Sequence, residues 1–170
     1  MSADLIKRCH SLLKTGTSDA EVSWFAVGDW KRVPNAVGGL ETAEPGQVAD
    51  AVDELLAAYP PTSTMTFADV CDFHFRFETI HPFQDGNGRV GRLVTFGQCL
   101  ANGIMPFIVL DSERFYYYRG LAEYARQPGF LRDTFRHFQD AYYVRFSKYV
   151  LSAAAGPDGA DSLELGQSRD

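Results

Sequence analysis

Apolar residues recur along much of this chain at steps of three and four, the spacing that puts side chains on one face of an α-helix. Leu5, Ile6, Cys9, Leu12 and Leu13 predict a short first helix ending near Gly16. Val22 to Thr42 breaks the rhythm. There Trp24, Phe25, Val27, Trp30, Val33 and Val37 alternate with Gly28, Pro34, Gly38 and Gly39, which predicts irregular chain around a β-hairpin. Pro45 suits the first turn of the next helix, where its missing N–H costs nothing. Val48, Val52, Leu55 and Leu56 give that helix an apolar face, and Pro60-Pro61 stops it. Thr66, with Asp69 three residues on, reads as the N-cap of a helix through Phe67, Val70, Cys71, His74, Phe77 and Glu78. A polar loop follows at His81–Gly88, then a helix through Leu93, Phe96, Cys99 and Leu100 that stops at Gly103. Met105–Leu110 reads as extended, and Asp111 as the cap of a helix holding Tyr117, Leu121 and Tyr124. Leu131, Phe135, Phe138, Tyr142, Phe146 and Tyr149 mark a last helix whose stripe is expected in the core. The expected fold class is mainly α: one domain over residues 1–152, with a hairpin at about 22–43. Gly, Ala, Asp and Ser dominate from Ala153, so residues 153–170 are expected to form a disordered tail.

Composition narrows the function classes. A chain of 170 residues with 45% hydrophobic and 22% charged positions can bury one core. Its net charge of -6 argues against broad nucleic-acid binding, which needs clustered Lys and Arg. No apolar run approaches the roughly 18 residues of a membrane span. Cys9, Cys71 and Cys99 are odd in number and form no CxxC pair, so they read as reduced thiols and, with no signal-peptide core at Met1–Arg8, point to a cytoplasmic protein.

The chemistry concentrates in Ile80-His-Pro-Phe-Gln-Asp-Gly-Asn-Gly-Arg-Val-Gly-Arg-Leu93. Gly86 and Gly88 permit backbone conformations in which successive N–H groups converge on an anion, and the helix that starts there adds its positive end. Arg89 and Arg92 stand three apart on its first turn, close enough to clamp phosphates. Asp85 offers the hard oxygen that Mg²⁺ on a polyphosphate requires. His81, at the other end of the loop, has the near-neutral pKa of a general base. The set lacks a nucleophile, which implies that one arrives on the substrate. His74 reads as a satisfied core residue, and nothing in the sequence marks His10 or His137.

His81-Pro-Phe-Gln-Asp-Gly-Asn-Gly-Arg-Val-Gly-Arg92 resembles the Fic motif HPFx(D/E)GNGRxxR at every defined position, and the resemblance extends over about Leu5–Tyr149. It implies a Fic-type protein adenylyltransferase that moves AMP from ATP to a Tyr, Thr or Ser hydroxyl with release of pyrophosphate. His81 would be the base, and Asp85 would hold Mg²⁺ (or Mn²⁺). Gly86, Asn87 and Gly88 would bind phosphates through backbone N–H groups and the Asn87 amide. Arg89 and Arg92 would take the β- and γ-phosphates, with Val90 and Gly91 in the same nucleotide-binding turn, and Phe83 would anchor the loop. Asn35, Ala36, Val37 and Gly38 resemble the family's flap, which holds the target protein by strand addition. Tyr117 resembles a tyrosine near the adenine. Lys31 stands where the family often has Arg. Position 88 is Gly, whereas the phosphate-transferring Doc branch has Lys, so AMP transfer is favoured.

The same residues admit other readings. The chain could be the toxin of a toxin–antitoxin pair, or could remove AMP. Family members are commonly restrained by a helix bearing Ser/Thr-x-x-x-Glu-Gly/Asn, whose glutamate meets the second arginine, here Arg92. The one Ser/Thr-x-x-x-Glu match is Thr17–Glu21, followed by Val22, so the resemblance implies that such a helix belongs to an antitoxin or to a segment outside these residues. Finally, Gly86-x-Gly88-x-x-Gly91 also fits the dinucleotide pattern, with Asp111 twenty residues beyond. That reading requires a buried strand before Gly86, where the periodicity predicts a helix.

Overall fold

A computed structural model of the chain describes residues 1–37 and 40–154, with backbone alone at 40–41 and 150–154. Six helices carry the fold: α1 (Ala3–Lys14), α2 (Val48–Ala58), α3 (Phe67–Ile80), α4 (Asn87–Ala101), α5 (Arg114–Glu123) and α6 (Gly129–Ala154). Two-residue strands β1 (Ala36–Val37) and β2 (Leu40–Glu41) pair antiparallel, Ala36 opposite Glu41 and Val37 opposite Leu40. The mainly α class expected from periodicity is what the structure has. Gly38 lies outside the described residues, as does the expected tail beyond Ala154. Among the described residues, no helix is long and apolar enough to cross a membrane.

The centre is the antiparallel pair α3 and α4. α3 starts at a capping box: the Thr66 hydroxyl accepts from the Asp69 N–H, and the Asp69 carboxylate accepts from the Thr66 N–H. Its buried face is Val70, Cys71, Phe73, His74 and Phe77. α4 answers with Val90, Gly91, Val94, Thr95 and Cys99. Each fully buried aliphatic or aromatic side chain here contributes roughly 1.5–3 kcal/mol relative to exposure. Leu93 and Leu100, which carry the helical period of α4 in the sequence, are 56% and 59% exposed. The inner face is set instead by small residues that admit α3. A Cβ on Gly91 would collide with Glu78 Oε1 and lie 3.0 Å from Phe77 Cδ1.

Other expectations need similar revision. The buried positions of α1 are Ile6, His10 and Lys14, an i, i+4, i+8 series, while Leu5 and Leu12 face outward. The α6 stripe buries Leu131, Phe135 and Phe138, but Tyr149 is 61% exposed. At 26 residues α6 runs about 39 Å, whereas its partner α5 has 10 residues and about 15 Å, so the second half of α6 outruns its cover. The segment 105–110 forms no strand, although Phe107 reaches the core against Phe135. Because α3 directly precedes the glycine-rich loop, the dinucleotide reading fails for want of its strand.

Gly91→Ala is expected to lower stability by about 1–3 kcal/mol, since the fully buried Phe77 ring, 3.0 Å from the new Cβ, must shift along with Glu78 Oε1. Urea unfolding checks this; an unchanged midpoint would show that α3 and α4 are not in close contact there.

Candidate active site

Two left-handed residues make the turn from α3 into α4. His81, the C-cap of α3, has φ 52° and is the non-glycine residue at positive φ among those described; Gly86, the N-cap of α4, has φ 84°. A histidine in that region is strained by its Cβ, by about 1–3 kcal/mol, so the surroundings must hold it. Pro82 follows and forbids continuation of α3. His81 Nδ1 lies 3.3 Å from the Glu78 carbonyl oxygen. A carbonyl only accepts, so Nδ1 carries the proton and Nε2 presents the lone pair. Burial, with a further contribution from Lys31, lowers the His81 pKa and keeps it neutral. Beyond the loop, Gly86 caps α4 without a side chain, leaving first-turn N–H groups directed outward.

The loop is pinned from three sides through Phe83, which is fully buried. From α4, Asn87 Oδ1 accepts from the Phe83 N–H at 2.7 Å, and Nδ2 donates to the Phe83 carbonyl at 2.7 Å. From α1, the His10 ring stacks on Phe83 with centroids 4.0 Å apart and planes 5° apart. The Gly28 N–H donates to His10 Nδ1, so Nε2 carries the proton and donates to the Asp85 carbonyl at 3.1 Å. From the hairpin, Asn35 Nδ2 donates to the Phe83 carbonyl at 3.0 Å. Lys31, 2% exposed, donates from Nζ to Asn35 Oδ1 at 2.7 Å and Thr42 Oγ1 at 2.6 Å, and its N–H donates to the Pro82 carbonyl.

Charge gathers at both ends of α4's first turn. Asp85, 56% exposed, accepts from Arg89 Nη2 at 3.1 Å and from Lys14 Nζ on its Oδ2. Burial works against its charge, but Lys14, the Gly86 N–H and Arg89 hold the carboxyl below the usual carboxylate range. Arg92 lies with its guanidinium carbon 5.7 Å from the Tyr117 ring centroid. Beneath it is a polar network. The Thr95 hydroxyl donates to the Gly91 carbonyl, so His74 Nδ1 donates to Thr95 at 2.7 Å, and Nε2 accepts from the Tyr117 hydroxyl at 2.8 Å. Burial and the nearby Arg92 drive His74 down to about 3. Glu78 completes the group: Oε1 has no hydrogen-bond partner, and burial raises its pKa to about 7 against the pull of Arg92.

His81, Asp85, Gly86, Gly88, Arg89 and Arg92 thus meet around one loop. Other expected contacts are redirected. The Asn87 side chain closes the loop on Phe83 and is 1% exposed, away from any bound phosphate; its backbone N–H remains at the helix start. Val90 is buried with its N–H bonded to the Gly86 carbonyl, and Gly91 is spacing for α3. Tyr117 is 1% exposed with its hydroxyl on His74, so its ring supports Arg92 and presents no open face to adenine. Asn35 turns inward, while Ala36 and Val37 are exposed on β1. His10, Lys14 and Glu78 were unmarked in the sequence. The signal for the first two was the Ile6–His10–Lys14 spacing, visible only by letting polar residues count as buried.

Known proteins resemble this chain in sequence and in fold. Residues 1–98 match the Fic/DOC family. A 43-residue stretch, 25% of the chain, is 44% identical to the probable protein adenylyltransferase aq_aa38 of Aquifex aeolicus, covering 13% of that protein. Over 136 residues, 78% of the chain, it is 25% identical to protein adenylyltransferase fic-1 of Caenorhabditis elegans, covering 26% of it. The solved structure of C. elegans Fic-1 superposes with TM-score 0.65 at 20% identity, over 91% of this chain and 44% of that one. The BepC protein of Bartonella tribocorum gives 0.61 at 18%, over 81% and 73%. The chain therefore spans about a quarter or less of the length of these curated relatives.

The buried titratable groups set an acid limit. His10 and His74 have folded pKa values below their ordinary 6.5, so the unfolded chain binds more protons, and the stability they contribute above about pH 6.5 is lost as pH falls. Glu78, raised from 4.5 to about 7, has the opposite sign: its contribution is full below 4.5 and is lost as pH rises through 7. Between pH 6 and 5 the loss from His74 and the gain from Glu78 nearly offset each other, and His10 and His81, both held below their ordinary value, leave a net fall in stability as pH falls. Glu78→Gln removes the offset and should steepen that fall by about 1.4 kcal/mol per unit. Urea midpoints at pH 7, 6 and 5 decide it; equal slopes in both proteins contradict the assignment.

Proposed function

The chain belongs to the Fic/DOC family, and we propose that it is a protein adenylyltransferase, transferring AMP from ATP to a hydroxyl of a target protein. The observation that carries this reading is the His81 tautomer: Nδ1 is committed to the Glu78 carbonyl, and Nε2 is left as the acceptor beside an anion-binding helix start. Relatives named protein adenylyltransferases support the same class, and BepC was solved with bound AMPPNP.

In this reading the target hydroxyl gives its proton to His81 Nε2 while its oxygen attacks the α-phosphorus of ATP. The bond from that phosphorus to the bridging oxygen breaks, and pyrophosphate leaves with the electron pair. The first-turn N–H groups of α4, Arg89 and Arg92 take up the charge that develops on the phosphates, and positioning supplies much of the rate. For Arg89 this means leaving Asp85. Tyr117 holds Arg92 from below.

A Mg²⁺ or Mn²⁺ ion would neutralise phosphate charge, and Asp85 would hold it. The donor set fits an ion carried by the nucleotide. Asp85 is an exposed single carboxylate, and among the described residues no group of three or more His, Cys, Asp or Glu side chains converges as a metal site. Gly88 supports AMP transfer over phosphate transfer, since a Cβ there would lie 3.1 Å from Arg92 Nη1 and a longer side chain would displace the guanidinium. The exposed β1 edge, tied to the loop through Asn35 and Lys31, suits a target segment added as a strand.

His81→Ala is expected to retain folding and ATP affinity while transfer falls by 10²-fold or more, the range of a lost general base. Incorporation of labelled AMP into lysate proteins, with ATP binding measured by calorimetry, checks both halves. Transfer within a factor of three of the parent would sink the mechanism.

A further inference from the structure

Lys14 stands in the last turn of α1, 71 positions from Asp85, and is 2% exposed. Its stem runs past Gly86, where a Cβ, were there one, would lie 3.5 Å from Cε, and Nζ lies 5.2 Å from the centre of the Phe25 ring. The ammonium is shared between Asp19 Oδ2, at 2.5 Å, and Asp85 Oδ2. A lysine on the surface would sweep a wide volume; this one is held where it is. Burial opposes its charge, but the bonds to Asp19 and Asp85 outweigh that and raise its pKa, so it is an ammonium throughout the physiological range.

The charges around Asp85 therefore balance. Asp19 and Asp85 contribute two negative charges, Lys14 and Arg89 two positive ones. A divalent cation approaching alone meets a carboxylate already neutralised, with a fixed ammonium on one of its oxygens. A polyphosphate changes the sum, because it adds negative charge and draws Arg89 away, while Lys14 cannot follow.

We propose that Lys14 is a positioning residue, a fixed cation that holds Asp85 in place and bars a divalent metal from it unless a polyphosphate arrives with it. Asp19 sets the strength of that bar by sharing the ammonium. The proposal rests on the reading of Asp85 as the metal ligand.

The test uses Mn²⁺ alone, titrated into the nucleotide-free chain and followed by electron paramagnetic resonance. Lys14→Met keeps the stem and removes the charge; it should tighten Mn²⁺ binding by about tenfold or more, given the strength of a unit charge at contact distance. Asp19→Asn should act in the opposite direction, weakening Mn²⁺ binding by about threefold, because the whole ammonium then falls to Asp85. A merely structural lysine would not give changes of opposite sign in two folded variants. Unchanged or weaker binding in Lys14→Met, or unchanged or tighter binding in Asp19→Asn, overturns the proposal. Should Lys14→Met fail to fold, the sign of the Asp19→Asn effect decides alone, since that side chain is 46% exposed and its loss leaves the core intact. Asp85→Asn separates the two levels: if it leaves Mn²⁺ binding unchanged in the Lys14→Met background, Asp85 is not the metal ligand, and the proposal falls with that reading.

Discussion

Phe83 is where the molecule is tied together. Its ring is fully buried between His10 of α1 and Trp30, whose centroid lies 5.3 Å away, and its backbone is held by Asn87 of α4 and Asn35 of the hairpin. A loop of polar and glycine residues has little reason to adopt one shape in water. One buried aromatic ring with both its backbone polar groups satisfied supplies that reason, because exposing it would cost both hydrophobic area and paired hydrogen bonds. The strained His81 and the left-handed Gly86 sit two and three residues from this anchor, where the backbone has least freedom to relax.

The elements around the anchor are unlike one another. α1 contributes a buried polar face, the hairpin a buried lysine and an asparagine, and α4 an asparagine that serves its own N-terminal loop. Buried polar groups are tolerable when their partners are in place and costly otherwise, so such an arrangement trades stability for a defined geometry. The same holds under Arg92, where Thr95, His74 and Tyr117 form an ordered chain of donors and acceptors that leaves each imidazole nitrogen with a single role. Glu78 Oε1 is the exception, a buried oxygen without a hydrogen bond, 3.9 Å from His74 Nε2 and beside a guanidinium. Its raised pKa is the expected response of a carboxyl that burial penalises more than its neighbour compensates.

Much of this was legible in the chain. Thr66 with Asp69 announced a capping box, Pro60-Pro61 and Gly103 ended helices, and the run His81–Arg92 named most of the residues that gather around the loop. Apolar periodicity misled in three places. In α1 it marked the exposed Leu5 and Leu12 and passed over the buried His10 and Lys14; in α4 it marked the exposed Leu93 and passed over Gly91; in α6 it extended the expected core past Phe138. Each error has one source. Periodicity reports which face of a helix is apolar, but burial depends on what stands opposite, and a small or polar residue can be the one that a neighbour covers.

Local chemistry was determined by the sequence itself: where helices start and stop, which glycines allow left-handed backbone, and which histidine, carboxylate and arginines crowd into twelve residues. These depend on φ and ψ preferences and on short spacings, which neighbouring residues settle among themselves. Tertiary structure decided the rest. It turned Tyr117 and the Asn87 amide from ligand contacts into supports, set His10 against Phe83 across 73 positions, and brought Lys14 to Asp85 across 71. Contacts between distant segments exist only once helices have packed, because their geometry is fixed by the shapes and charges that packing brings together. No spacing within a single segment encodes them.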